Sequence, residues 1–187
     1  MFVEVSRLVV RQAFRFELDP APDQRQSLRR HAGAARYAYN WSLDICRACL
    51  AKGLPLPTAP ELHRMWNRWK RENAPWWTEV SKAAPQEAMR NLSAAFKNFF
   101  DCRSGRRQGP KVGFPVYHKR GRHDSFRLTG SIRVEADAVL LPRIGKVATK
   151  EATGKFKGRI LSATVRCEAG RWYVCSRSRQ SVRTLRR

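Results

Sequence analysis

Hydrophobic positions along this chain change their period twice. Over Gln12–Leu18 they alternate, with Phe14, Phe16 and Leu18 on one side and Arg15 and Glu17 on the other. That alternation predicts a half-buried strand, closed by Asp19-Pro20. From residue 23 to 52 the spacing is helical, and Leu28, Ala32, Ala35, Tyr39, Leu43 and Cys46 fall on one stripe. Pro22 suits the first helical position and Asp23 its positive end. Ala21 is a weak cap, costing about 1 kcal/mol against Ser or Thr. A bend is expected near Gly33, and Gly53 with Pro55, Pro57 and Pro60 ends the helix. A second helix is predicted over 61–72, carrying Leu62, Met65, Trp66 and Trp69 and stopped by Asn73-Ala74-Pro75. A third spans 84–102, with Ala88, Leu92, Ala95, Phe96 and Phe99 on one face. Pro85 is compatible only with its first turn.

Beyond residue 124 the period returns to two. Short strands are predicted at Ser125–Leu128, Ile132–Glu135, Val139–Leu141, Lys146–Ala148, Ile160–Cys167 and Trp172–Ser176. Glu135-Ala136-Asp137 and Glu168-Ala169-Gly170 read as hairpin turns between neighbours. The order is one strand, a helical block, then several strands. An α+β fold follows, in which the first strand joins the later ones in a sheet or barrel and the helices are an insertion. Residues 1–10 carry no functional signal.

Composition adds a partner class. The 187 residues hold 38 Lys and Arg against 15 Asp and Glu, a formal charge of +23, with 42% hydrophobic residues to build a core. Residues 1–102 carry 16 basic and 10 acidic residues, net +6; residues 103–187 carry 22 and 5, net +17. Such an excess attracts polyanions, because each phosphate neutralised releases a condensed counterion. No stretch approaches the roughly 20 apolar residues a bilayer span needs, and the N-terminus lacks a secretory signal's apolar run. A cytoplasmic protein with reduced cysteines and no membrane partner is expected.

The segments QAFRFELDPAPDQ, GAARYAYNWSL, QEAMRNLSAAFKNFF, GPKVGFPVYHKRGRHDSFRL, VLLPRIGKVATK and GRILSATVRCEAGRWYVC stand in order along the chain. Together they resemble the N-terminal half of the TnpB family. These are OrfB-type insertion-sequence proteins, long described as transposases and ancestral to type V CRISPR effectors. The resemblance covers about residues 10–176. It implies a wedge-type β-barrel with an inserted helical, helix-turn-helix-like recognition bundle, and RNA-guided DNA cleavage beside a short target-adjacent motif. On this reading residues 10–20 are the first barrel strand, 21–111 the helical insert, 112–176 the rest of the barrel and 177–187 a basic tail. The family's RuvC-like nuclease domain follows the barrel and brings three acids with Mg²⁺ and a structural Zn²⁺. Where its first Gly-Val-Asp-Leu-Gly-type strand is expected, Arg177–Arg187 contains no acid. The expectation is a nucleic-acid-binding fragment without catalytic residues or metal. Its partners would be DNA and a guide RNA from the transposon end.

Candidate contacts follow. Lys82, Gln86, Arg90, Ser93 and Lys97 share a polar face of the third helix. By resemblance, Lys82 and Gln86 match positions that approach the motif duplex. Gln suits adenine and Lys suits guanine acceptors or phosphate; a solvated helix face is the plainer reading. Thr129 and Gly130 are further candidates for the same groove. The loop after the helix holds Arg103, Arg106, Arg107, Lys111, Lys119, Arg120 and Arg122, which suit the nucleic-acid backbone. Gly105, Gly109 and Gly113 let its backbone come close to a partner. Phe114-Pro115 reads as structural, whereas Tyr117 and His118 could stack on bases. Arg36, Tyr37, Tyr39, Asn40 and Trp41 fit core packing better than base stacking. Lys146, Lys150, Lys155, Lys157 and Arg159 suit either a guide-RNA scaffold or a soluble surface.

Cys46-Arg47-Ala48-Cys49 is a lone pair, where zinc wants four ligands. The histidines at 31, 63, 118 and 123 are scattered, and no acid cluster suits a metal-dependent nuclease. A nuclease-free RNA-guided DNA-binding repressor, a recombinase using a Tyr or Ser nucleophile, and a basic protein without a specific partner are the alternatives.

Overall fold

The computed structural model describes residues 5–154 and 159–185, with side chains for 13–154 and 160–176. It divides into two compact units, one of residues 1–26 with 128–187 and one of residues 27–127.

The second unit is helical. Helix α1 spans Pro22–Ala51, α2 spans Ala59–Asn73, and α3 spans Ala83–Arg103. All six residues of the predicted α1 stripe are buried. Leu62 and Trp66 of α2, and Met89, Leu92 and Phe96 of α3, are buried as well. Helix α1 is assigned as one element through Gly33. Gly53 follows with φ 66°, a backbone setting that glycine adopts without steric cost. Thr58 caps α2 reciprocally with Glu61, which also draws the Glu61 carboxyl below its usual range. A 3-10 turn at Pro75–Glu79, absent from the sequence reading, carries Trp76 and Trp77. Met65, placed on the apolar stripe of α2, is instead 43% exposed.

The first unit is an antiparallel sheet. Strand β1 is Val5–Asp19, β2 Ser125–Thr129, β3 Arg133–Val134, β4 Ala138–Leu141, β5 Gly145–Thr149, β6 Arg159–Glu168 and β7 Arg171–Leu185. Their order is β2-β6-β7-β1-β5-β4-β3. The N-terminal strand therefore does join the late ones, pairing β7 from Val5↔Leu185 to Leu18↔Trp172 and β5 at Leu18↔Thr149. Both predicted hairpins form. In the β6–β7 turn Ala169 and Gly170 both take positive φ (48° and 78°), the pair of signs that matches strand twist in a two-residue turn. Phe16, Leu18, Ala163, Val165, Trp172 and Val174 alternate inward and are buried.

Two strand-level expectations change. The sheet is not closed as a barrel: β2 and β3 end the strand order, and no ladder joins them among the described residues. Only Gly130–Ile132 separates these two edges. Four Cα steps of 3.8 Å span at most about 15 Å, so the sheet bends back on itself without bonding. With two residues, β3 is too short for a further ladder. Strand β7 also runs to Leu185, past Ser176, through residues read as a basic tail. Pairing with the start of β1 supplies backbone hydrogen bonds where the sequence shows no apolar alternation. Among the described residues, no helix is long and apolar enough to cross a membrane.

Candidate nucleic-acid interface

The start of α3 is fixed from α1. His31 is wholly buried. Its Nδ1 lies 2.8 Å from the Ser27 carbonyl and its Nε2 2.9 Å from the Ser81 N–H. These partners require Nδ1–H to donate and Nε2 to accept, so the ring is neutral. Burial agrees, pushing its pKa below the usual imidazole value. Ser81 Oγ in turn accepts from the Ala83 N–H at 3.3 Å, meeting one of the donors a helix start leaves open. Pro85 sits buried in the first turn, as expected. Lys82 is exposed at the cap and Gln86 half-buried one turn on.

Around this start the charge is one-sided. His63 of α2 has its pKa lowered by burial and then by the nearby charges of Lys70, Arg90 and Lys82. Lys70 also lies 4.0 Å over the Trp77 ring. The cluster thus draws from α2 and from the first two turns of α3. Among the described residues no carboxylate pairs with Lys82 or Lys70. Arg90 is different: it bonds Glu87 at 2.5 Å, and Glu87 is buried with Arg127 at 3.7 Å. Lys97 bonds Asp101. It also lies about 22 Å along the helix from Lys82 at 1.5 Å per residue. The predicted polar face therefore resolves into Lys82 and Gln86 near the start, followed by two ion-paired cations. Ser93 is half-buried, with no partner for its hydroxyl among the described residues.

The basic loop is more ordered than a charged linker. Arg103 lies 5.7 Å over Phe99, Arg106 pairs with Asp101 at 3.1 Å, and Arg107 bonds Asn98 at 3.2 Å. Lys97 and then Arg106 hold the Asp101 carboxyl below its usual range. Phe114 packs edge-on against Phe96 and Phe99 at 5.4 and 5.3 Å, and Pro115 is buried. Downstream, α1 grips the chain at successive turns. Arg36 pairs with Asp124 at 2.5 Å. Asn40 both donates to and accepts from the His118 backbone, at 3.0 and 2.8 Å. Asp44 accepts from the Tyr117 hydroxyl, over whose ring Arg47 lies at 4.6 Å.

This corrects the stacking expectation. His118 lies between Tyr39 and His123, at 3.6 and 4.5 Å and nearly parallel to both, so neither ring face is open to a base. Burial, followed by the charges of His123 and Arg36, pushes its pKa down to about 4. Lys111, Lys119, Arg120 and Arg122 stay exposed. Within the Arg36–Trp41 cluster Tyr39 is buried, and Tyr37 and Trp41 lie against Trp66 and Trp69, but Tyr37 stays 45% exposed and is not a core residue.

Thr129 and Gly130 belong to the sheet unit and are exposed. There Lys146 bonds Glu135 at 2.7 Å and Lys150 bonds Glu17 at 3.1 Å. Lys155 and Lys157 lie outside the described residues, as does the Arg159 side chain. Cys46 is buried and its thiol pushed up to about 11, chiefly by that burial. Cys102 accepts from the Val112 N–H at 3.4 Å. Among the described residues no three His, Cys, Asp or Glu side chains converge to hold a metal ion.

The sequence reading missed the residues that order this surface: His31, Asp44 and Asp124. The polar stripe Arg36-Asn40-Asp44-Arg47 on α1 was the available signal, since a stripe beside an apolar face often anchors another segment.

Comparison with known proteins places these features. A helix-turn-helix domain family of the OrfB/IS605 type matches residues 10–53, which here form β1 from Val10 and helix α1. The chain is 38% identical over 180 residues to a Mycobacterium tuberculosis protein named "Putative RNA-guided DNA endonuclease", covering 83% of this chain and 39% of that one. It is 27% identical over 176 residues to InsQ of Escherichia coli K12, which bears the same description, covering 92% and 42%. A Streptomyces pristinaespiralis protein so described is 31% identical over 96 residues, covering 51% and 24%. The chain thus spans about two fifths of the length of the first two relatives. The helix-turn-helix match and these alignments over most of its length converge on one conclusion: the chain is similar to proteins described as RNA-guided DNA endonucleases of the InsQ type, consistent with the TnpB family.

Proposed function

We propose that this chain is a nucleic-acid-binding portion of a TnpB-type RNA-guided DNA endonuclease, which holds target-adjacent-motif DNA and guide RNA without itself cleaving. The observation that carries this reading is the basic cluster at the start of α3, in which Lys70 and Lys82 have no carboxylate partner among the described residues. Lys70, Lys82 and Arg90 lie close enough to depress His63. Holding like charges together is unfavourable for an isolated protein, and a phosphate chain relieves it while releasing counterions. Gln86 stands one turn from Lys82 and supplies the donor and acceptor that can read a base edge. The neutral His31 holds the Ser81 backbone, so both side chains project from a fixed start.

The loop cations Lys111, Lys119, Arg120 and Arg122 extend the phosphate-binding surface. The clamps from Arg36, Asn40 and Asp44 keep that loop ordered before binding, which lowers the entropy cost of association. Thr129 and Gly130 are proposed as further DNA contacts. Cleavage would fall to carboxylates arranged around magnesium, in the part of the relatives that this chain does not span.

The test is selection from a duplex pool with a randomised eight-base-pair window, followed by anisotropy on the enriched sequence. The wild-type chain is expected to enrich a short motif. Gln86→Ala should bind with relaxed preference, and Lys82→Ala should bind all sequences more weakly with a shallower salt dependence. Enrichment of the same motif at the same strength by both variants would refute the placement. Cutting of a guide-matched target by the purified chain with Mg²⁺ and transposon-end RNA would refute the division of labour.

A further inference from the structure

Helix α1 places a glycine where the fold gives it no reason to be. Gly33 lies in the interior of Pro22–Ala51, where glycine is the least favourable residue after proline. Such a glycine is normally retained for a positive φ, for close packing inside the protein, or for close approach by another body. Its φ is not positive. A Cβ built there would meet only the end of the Arg36 side chain, at an ordinary 3.9 Å. Among the described residues nothing requires a glycine at this position, which leaves the third reason.

The surroundings say what approaches. Gly33 forms the floor of a cleft of about 310 Å³, walled by Tyr37, Trp76, Ala34 and Val80 and rimmed by Arg30 and Glu79. That volume lies at the small end of ligand clefts, roughly 300–1,000 Å³, a size for one ring system. Tyr37 is 45% exposed. Trp66 and Trp69 lie against it with ring centres 6.1 and 5.7 Å away, and Trp76, which shares the cleft wall, meets it edge-on at 5.7 Å. The exposed ring is therefore held rigid by its neighbours, and rigid aromatic surface binds at little entropy cost. At the rim Arg30 bonds Glu79 at 2.8 Å, with both side chains about half exposed. An exposed pair of this kind contributes little and exchanges readily. The guanidinium keeps further donors for a phosphate, and the carboxylate can accept from an exocyclic amine.

We propose that the cleft over Gly33 receives a single unpaired nucleobase, stacked on Tyr37 with its phosphate beside Arg30. The inference rests on the nucleic-acid-binding reading above and names a second site, beside the start of α3. A base fits where an apolar peptide side chain fits less well. The cleft offers a flat aromatic wall, and its mouth carries a cation in a chain of net charge +23. Base stacking on aromatics accounts for much of single-strand binding without sequence preference.

The experiment uses the full chain and two labelled twelve-nucleotide single strands, one of thymidines and one with abasic sites throughout, read by anisotropy. Gly33→Leu fills the cleft and Tyr37→Ala removes the platform. Gly33→Ala adds only a Cβ and raises helix propensity, so its melting temperature separates lost binding from lost fold. Both Gly33→Leu and Tyr37→Ala are expected to weaken thymidine binding roughly tenfold, the size of one lost stack. They should leave abasic binding and the salt slope unchanged, because no phosphate contact is removed. Gly33→Ala puts a Cβ where the base comes closest, so it should weaken thymidine binding by a smaller factor than Gly33→Leu while melting at a higher temperature. Equal binding of the thymidine strand by wild type and Gly33→Leu would overturn the site, even where duplex binding persists. Equal losses on both strands would also overturn it, since they would report lost charge or fold. If the wild type bound neither strand nor duplex, the nucleic-acid reading and this site would both fall.

Discussion

The two units treat their positive charge differently. In the sheet unit Arg15, Lys146, Lys150, Arg166 and Arg171 each bond Glu17, Glu135 or Glu168. Lys150 and then Arg171 hold the Glu17 carboxyl below its usual range. In the helical unit Arg30, Arg36, Arg90, Lys97 and Arg106 are paired as well, but Lys82, Lys119, Arg120 and Arg122 have no carboxylate partner among the described residues, and Lys82 lies with Lys70 and Arg90 around His63. Sequence counts put the larger excess in residues 103–187, and Lys119, Arg120 and Arg122 do lie there, but Lys82 lies in the half of smaller excess. Net charge therefore predicts a polyanion partner without showing where it lands. What marks a landing surface is charge the fold has left unneutralised.

That contrast can be broken in several ways. Trp66 is fully buried in the helical unit, and Trp66→Ala should cost about 3–5 kcal/mol. Amide exchange should then quicken over residues 27–127. Equal acceleration in β6 and β7 would show that the two units do not hold independently. A smaller effect is expected from charge. Replacing Lys82, Lys119, Arg120 and Arg122 with Ala should lower the slope of log affinity against log salt by up to about 0.9 per lost duplex-phosphate contact. Replacing Lys146 and Lys150, already paired in the sheet unit, should change that slope less. Equal losses from both sets would erase the distinction.

A pH titration sharpens the comparison further. His118 titrates near 4 when folded and near 6.5 when unfolded. Between these values the unfolded chain binds more protons, so this contribution is present above about 6.5 and is lost as pH falls towards 4. His31 acts in the same direction. Denaturation midpoints should therefore fall between pH 7 and pH 5, and His118→Gln should flatten the fall. An unchanged slope would mean that the stacked histidines are not buried in solution. The smallest effect is at the α2 cap, where Thr58→Ala should cost about 1 kcal/mol and fray the adjacent turn in amide exchange.

Much of the framework was legible because it is periodic. The stripe from Leu28 to Cys46 and the alternation Phe14-Phe16-Leu18 each repeat with their element, so local spacing was enough. Strand β7 beyond Ser176 was not legible, because its partner lies at the opposite end of the chain and its residues do not alternate. The turn at Pro75–Glu79 hid behind a proline that also reads as a helix stop. Open versus closed sheet was beyond reach, since it depends on whether two edges joined by three residues bond. For the interface, Lys82 and Gln86 emerged from helical spacing and family resemblance together. The ion pairs that occupy Arg90 and Lys97 were readable at three and four residues' spacing and were overlooked. Contacts such as Arg36 with Asp124 link positions 88 apart, and no local pattern announces them.

His31 has a consequence for redesign. Because an imidazole fifty residues upstream of Ser81 fixes where α3 begins, the outward residues of that helix are not needed to orient it. Exchanging positions 82 and 86 while leaving 31 and 81 intact should present new side chains from an unchanged mount. The scaffold then behaves as a socket, into which alternative reading heads can be fitted one pair at a time.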